Sequence, residues 1–234
     1  MASSGSADCR LLLVNPNSTS SMTENLAHLY SGLPNISLEF VDGSDVPGCP
    51  PAIENQTHSV QSAALLLPKI LGRIAESPVD GILICCFSDH PLVPILRENT
   101  DVPIMGIFQA SLQAAAMMER KFGIVTTAMA WQPILTSSVL ALGAQRSSAG
   151  VIATGLGVLE LESKPQDVVL KRIEECTTTL IESGARCIIL GCAGMAPLER
   201  MLKRILPREI AIIDGVRYGI HFLAAMIRAA RYSD

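Results

Sequence analysis

Apolar residues in this chain gather in short runs: LLLV at 11–14, GILIC at 81–85, VPIMGI at 102–107, FGIVTT at 122–127 and CIIL at 187–190. Longer stretches lie between them, with apolar positions at helical spacing. Short continuous runs mark strands buried on both faces, so the alternation predicts parallel sheets flanked by helices. Ile36, Leu38 and Phe40 alternate with polar neighbours and add a further strand. The spacing of Val60, Ala63, Ala64, Leu67, Ile70, Leu71 and Ile74 predicts a helix over about 57–77, kinked at Pro68. Helices are also expected over about 21–31, where Ser21 and Glu24 are spaced as a capping box, over 111–120 and over about 216–230. Residues 42–58, rich in Gly, Pro, Asp and Asn, form a long loop, either a lid or plain surface.

The order of elements repeats. Val14 and Val125, Cys86 and Cys192, and Met117 and Met226 are separated by 111, 106 and 109 positions, and Gly106 falls opposite Gly215. Similar offsets at separate anchors indicate a duplicated unit of roughly 110 residues. The expected fold is α/β, with two pseudo-symmetric lobes, each a mostly parallel sheet flanked by helices, and a site in the cleft between them. The expected division is 1–105 plus 214–234 for the first lobe and 106–213 for the second, with the last helix crossing back onto the first.

Two strand exits carry most of the chemistry. After the run at 81–85 come Cys86, Ser88, Asp89 and Pro91, read as strand end, turn, helix cap and first helical turn. After 187–190 come Gly191, Cys192, Ala193 and Gly194, with Pro197 beginning another helix. A thiol at such an exit lies where open α/β sheets place ligands, near backbone N–H groups that favour a thiolate below the usual pKa of about 8.5. Two thiols facing each other suit cofactor-independent racemisation, in which one takes a proton from a carbon acid and the other returns one to the opposite face. Backbone N–H groups near Ser88, Ala193 and Gly194 could stabilise the enolate oxygen. His90 reads as a partly exposed turn residue.

Composition narrows the alternatives. Net charge is −4, the 18 Lys and Arg are scattered, and no nucleic-acid partner is expected. Hydrophobic residues make up 49% of the chain but aromatics only 4%, so the core must be aliphatic. The start MASSGSADCR has no apolar leader segment, and no run approaches the roughly 20 residues needed to cross a bilayer, so a cytoplasmic protein without a membrane partner is expected. Seven cysteines without C-x-x-C spacing fit free thiols, and four scattered histidines offer no metal set. No metal or cofactor is expected.

NPNST at 15–19, CFSD at 86–89, GIVTT at 123–127 and GCAGM at 191–195, in this order, resemble the Asp/Glu/hydantoin racemase superfamily, nearest its hydantoin and allantoin racemase branch. The resemblance implies that Cys86, rather than Cys85, pairs with Cys192 in catalysis, and that Asn15, Thr126 and Thr127 hydrogen-bond a hydantoin ring or carboxylate. It also implies a small-molecule substrate such as a cyclic ureide and a homo-oligomer. His90 and Pro91 follow Asp89 where the family often has Pro-Gly, a change that bears on the substrate more than on the reaction. The neighbouring possibilities are an Asp/Glu-type amino-acid racemase, a malonate decarboxylase, a maleate isomerase and a two-lobed binding module without turnover.

Overall fold

The computed structural model describes residues 9–231; residues 1–8, which include most of the stretch read above for a leader, and 232–234 lie outside the described residues. The first half runs β1 (Cys9–Val14), α1 (Ser20–Leu29), β2 (Ile36–Val41), α2 (Gln56–Glu76), β3 (Gly81–Ile84), α3 (Leu92–Asn99), β4 (Ile104–Gly106) and α4 (Ile107–Met117). The second runs β5 (Phe122–Thr126), α5 (Trp131–Ala141), β6 (Ser148–Ala153), α6 (Glu160–Ser163), α7 (Gln166–Glu182), β7 (Cys187–Gly191), a 3₁₀ segment (Ala193–Leu198), α8 (Glu199–Ile205), β8 (Ala211–Asp214) and α9 (Gly215–Arg231). Each half forms a four-stranded sheet, ordered β2-β1-β3-β4 and β6-β5-β7-β8, and every strand pairing is parallel. The same strand order twice over is the duplication expected from the offsets.

Parallel pairing brings equivalent strand ends to one edge. Val14 pairs with Ile84, and Thr126 with Gly191. Asn15 and Cys85 therefore leave the first sheet side by side, tied by the bond from the Cys85 N–H to the Val14 carbonyl at 2.8 Å. Thr127 and Cys192 leave the second in the same way.

The two sheets share a core. Along β5 and β7, Phe122, Ile124, Cys187 and Ile189 belong to the same apolar cluster as β1 and β3, while Val125, Ile188 and Leu190 belong to a second cluster with Val169 and Ile173 of α7. Successive strand residues point to opposite faces, so one face of the second sheet joins the first half's core and the other is covered by the second half's own helices. The final helix packs on the first sheet. Val216, Gly219, Ile220, Leu223 and Ile227 make one buried stripe on α9, which packs on β1, β3 and β4 and against α4. Close approach depends on missing side chains: a Cβ on Gly219 would sit 2.5 Å from Leu83 Cδ1, and one on Gly215 would sit 2.6 Å from the Ile107 carbonyl oxygen. At the same end, the Tyr30 hydroxyl donates to Asp214 Oδ2, while Asp214 Oδ1 accepts the Val216 N–H at 3.0 Å and caps α9.

Local expectations needed two corrections. The helix from Ser20 has Thr19 at its cap without a side-chain cap bond, and no capping box forms, because Ser21 Oγ donates instead to Glu162 Oε2 at 3.1 Å. Helix α3 begins at Leu92 rather than behind an Asp89 cap. Pro68 lies inside α2, which continues to Glu76. Gly191 explains itself at the next level: a Cβ there would lie 2.5 Å from the Val125 carbonyl oxygen on the neighbouring strand, so only glycine lets β7 run beside β5 up to Cys192. Gly191→Ala should lower stability by about 1–3 kcal/mol, the range for overpacking a tight interior, measurable as a shift of the urea midpoint at unchanged slope.

Candidate active site

The thiols expected to act together do meet. Cys86, two residues beyond β3, and Cys192, the residue after β7, line one cavity with Asn15, Phe87, Thr127 and Trp131. Its volume is about 30 Å³, small beside the roughly 300–1,000 Å³ of pockets that enclose a whole ligand, so a substituted ring enters only if its walls give way. Cys86 Sγ lies 3.4 Å from Ser88 Oγ, and the backbone N–H of Gly194 faces the Cys192 sulfur, with that of Met195 shared between the sulfur and the Cys192 carbonyl at 3.0 Å. Each thiolate would thus find a hydrogen-bond donor.

Burial outweighs those donors. Loss of water pushes the Cys86 thiol up to about 12, with the Ser88 hydroxyl pulling down and the charge of Cys192 pushing up. Desolvation likewise pushes Cys192 up to about 11, against the two backbone N–H groups. This runs against the expectation that backbone N–H groups hold the thiols below the usual pKa, because removing a charged sulfur from water costs more than one or two hydrogen bonds return. Cys85 is buried and raised further by desolvation and by Asp214.

The other expected site residues divide into two groups. Asn15 lines the cavity with its amide engaged, accepting from Asn17 Nδ2 at 2.8 Å and donating to Asn17 Oδ1 at 3.1 Å and Thr23 Oγ1 at 3.0 Å. Thr127 and Ala193 are on the wall. Thr126 is not; its hydroxyl donates to the Gly191 carbonyl at 3.0 Å and clamps β5 to β7 just before Cys192. Ser88 addresses the Cys86 sulfur, while its N–H is taken by the Cys86 carbonyl at 3.0 Å and is not free for an enolate. Gly194 lines an adjoining cavity. Sequence reasoning missed Asn17, Ile53, Met22 and Trp131. The indole Nε1–H of Trp131 donates to the Ile53 carbonyl at 3.1 Å, tying the second half to the 42–55 loop over the site. The single tryptophan of an aromatic-poor chain, placed just after GIVTT, was the available signal.

His90 is the clearest reversal. It is fully buried, not a partly exposed turn residue: the Leu92 N–H donates to Nδ1 at 3.3 Å, which leaves the proton on Nε2 to reach Ser62 Oγ at 3.1 Å, and Ser62 donates onward to the Ser59 carbonyl. The ring therefore does the capping expected of Asp89 and ties the Cys86 turn to α2.

A match to the family model for Asp/Glu/hydantoin racemase extends over residues 11–223. The chain belongs to the Asp/Glu/hydantoin racemase family. Among family relatives it is 40% identical to an uncharacterised Schizosaccharomyces pombe protein over 94% of this chain and 92% of that one, and 34% identical to the hydantoin racemase of Rhizobium meliloti over 93% and 88%. Its fold superposes on allantoin racemase from Klebsiella pneumoniae with a TM-score of 0.84 at 29% identity, covering 95% of this chain and 89% of that one. Family membership makes it an isomerase of the racemase type. Among the described residues, no helix is long and apolar enough to cross a membrane.

Burial pushes the His90 imidazole down to about 4 from an ordinary 6.5. A depressed folded-state pKa contributes stability that is present above 6.5 and lost as pH falls through 4, by up to about 3 kcal/mol for this group. Urea unfolding should show that decline between pH 6.5 and 4, and His90→Asn, less stable at neutral pH, should flatten it.

Proposed function

We propose that this chain racemises a five-membered cyclic ureide of the hydantoin or allantoin type, using Cys86 and Cys192 as the two bases. The observation that carries this reading is the placement of the two sulfurs at equivalent strand ends of duplicated sheets, on the wall of one buried cavity. The substrate class comes from the relatives named above as hydantoin and allantoin racemases.

In the proposed reaction one cysteine is a thiolate and the other a thiol. The thiolate takes the proton from the ring carbon beside the carbonyl, the electron pair moves onto that carbonyl as an enolate, and the opposite thiol protonates the planar carbon on its other face. The sulfur that began charged ends protonated and its partner ends charged, so the enzyme is ready for the mirror-image turnover. Identical residue types suit this exchange because both sulfurs are raised to similar extents, to about 12 and about 11, so neither direction meets a much weaker base. Desolvation that makes the thiolate scarce also makes it reactive, since the base strength of a sulfur rises with its pKa.

Cys86→Ser and Cys192→Ser should each lower racemisation by at least about 10³-fold, while each retains exchange of substrate hydrogen for deuterium on one enantiomer only. Polarimetry and NMR in heavy water separate these, and full racemase activity in both variants would remove the mechanism. Because both thiols are raised, kcat/KM should climb with pH from neutrality upward, toward tenfold per unit, as the single-thiolate form becomes populated. A plateau below pH 8, after subtraction of the uncatalysed rate, would contradict the buried-thiol description.

A further inference from the structure

The cavity lined by the two cysteines is small, and a larger cavity adjoins it. This second cavity has a volume of about 330 Å³ and shares Asn15, Met22 and Ala193 with the first. Asn15 comes from the end of β1 and Ala193 from beyond β7, so the shared wall belongs to both halves. That geometry matters for a two-base reaction. Protons leave and arrive along the line between the sulfurs, and the other substituents of the planar intermediate lie in the plane between the lobes. A passage walled from both halves is where a ring substituent can extend.

The chemistry of this side cavity is mixed in a particular way. Leu161, Pro197 and Leu198 form part of it, and Asn25, Glu162, Lys164 and Gln166 supply the polar groups. Glu162 accepts from Asn25 Nδ2 at 2.8 Å through Oε1 and from Ser21 Oγ at 3.1 Å through Oε2. Two carboxylate oxygens offer about four lone-pair directions, so two remain for an incoming donor. Leu161, the residue before Glu162, lies beside the reacting end: a Cβ on Gly194 would sit 3.2 Å from Leu161 Cδ1 and 3.6 Å from the Cys192 sulfur. An aromatic or alkyl substituent would strip water from that carboxylate without replacing it, and a carboxylate substituent would be repelled by Glu162 while Lys164 is engaged by Glu160 at 3.1 Å. A neutral group that both donates and accepts, such as a carbamoyl or ureido group, meets the carboxylate and the two amides at once.

We infer that the cavity bounded by Asn25, Glu162 and Gln166 is the substituent subsite, and that Glu162 selects ring substrates whose side group presents N–H donors. This rests on the reading under Proposed function. The test compares initial racemisation rates of 5-ureidohydantoin and 5-benzylhydantoin, corrected for uncatalysed racemisation, in wild type, Glu162→Leu and Ser21→Ala. Wild type should favour the ureido ring by at least about tenfold in kcat/KM. Glu162→Leu should cut kcat/KM for the ureido ring by about 10- to 100-fold, chiefly through KM, with the benzyl ring unchanged or improved. Ser21→Ala removes one link across the lobes and spares the carboxylate, so it should leave the ratio where it was; a merely structural role for Glu162 would move both substrates together. A ratio near one in wild type, or one unmoved by Glu162→Leu with racemisation intact, overturns the subsite and leaves the two-thiol reading standing. Turnover of neither ring by wild type overturns both.

Discussion

A sulfur can act as a base only as a thiolate, and a thiolate kept from water is costly, so in the proposed reaction the cleft is governed by how Cys86, buried, and Cys192, half-buried, are kept from water without being silenced. Ser88 beside Cys86 and the Gly194 and Met195 N–H groups beside Cys192 recover part of the cost, and burial still raises both thiols. For the proposed two-thiol reaction this trades population for reactivity: few molecules would hold the charged sulfur at neutral pH, but that sulfur would be a stronger base than a solvated one. The surrounding polar groups are already engaged. Asn15 pairs with Asn17, and Thr126 holds the Gly191 carbonyl, so they fix the walls around the sulfurs with little freedom left over.

Positioning two sulfurs across a gap is difficult for lobes that move independently, and the packing shows how this chain avoids it. Alternate residues of β5 and β7 face a core continuous with the first sheet, and α9 returns from the second half to lie on β3, made possible by the missing side chain at Gly219. Tyr30 and Asp214 join the halves again beside the start of α9. The body of the cleft is thereby held, and the closures at its mouth are lighter: the Trp131 bond to Ile53, and Glu162 with Ser21 and Asn25. A cavity of about 30 Å³ requires some element to yield for a ring to enter, and the exposed bonds of Glu162 to Ser21 and Asn25 open at lower cost than the buried Trp131 contact or a shared apolar core.

What could be read from the chain alone was what repeats along it. Runs such as Leu11–Val14 and Cys187–Leu190 announce buried strands because a parallel sheet covered on both faces needs no polar residue, and the spacing of Cys86 and Cys192 announced a duplication. Those signals are local in sequence, so they fixed the α/β class, the two sheets and the two strand ends that matter. The side chains of the site were legible only where they continue a strand, as with Asn15 and Thr127.

Tertiary structure decided the rest, for a reason common to each case: a side chain with several possible partners is assigned by what folding brings near it. Ser21 looked like half of a capping box until Glu162, far along the chain, took its hydroxyl. His90 looked like a surface turn residue until Ser62 of α2 accepted its ring proton. Whether a strand-end thiol is lowered by helix N–H groups or raised by desolvation is likewise a balance between neighbours and solvent. Sequence supplies the donors, but only the packed cleft sets how much water remains.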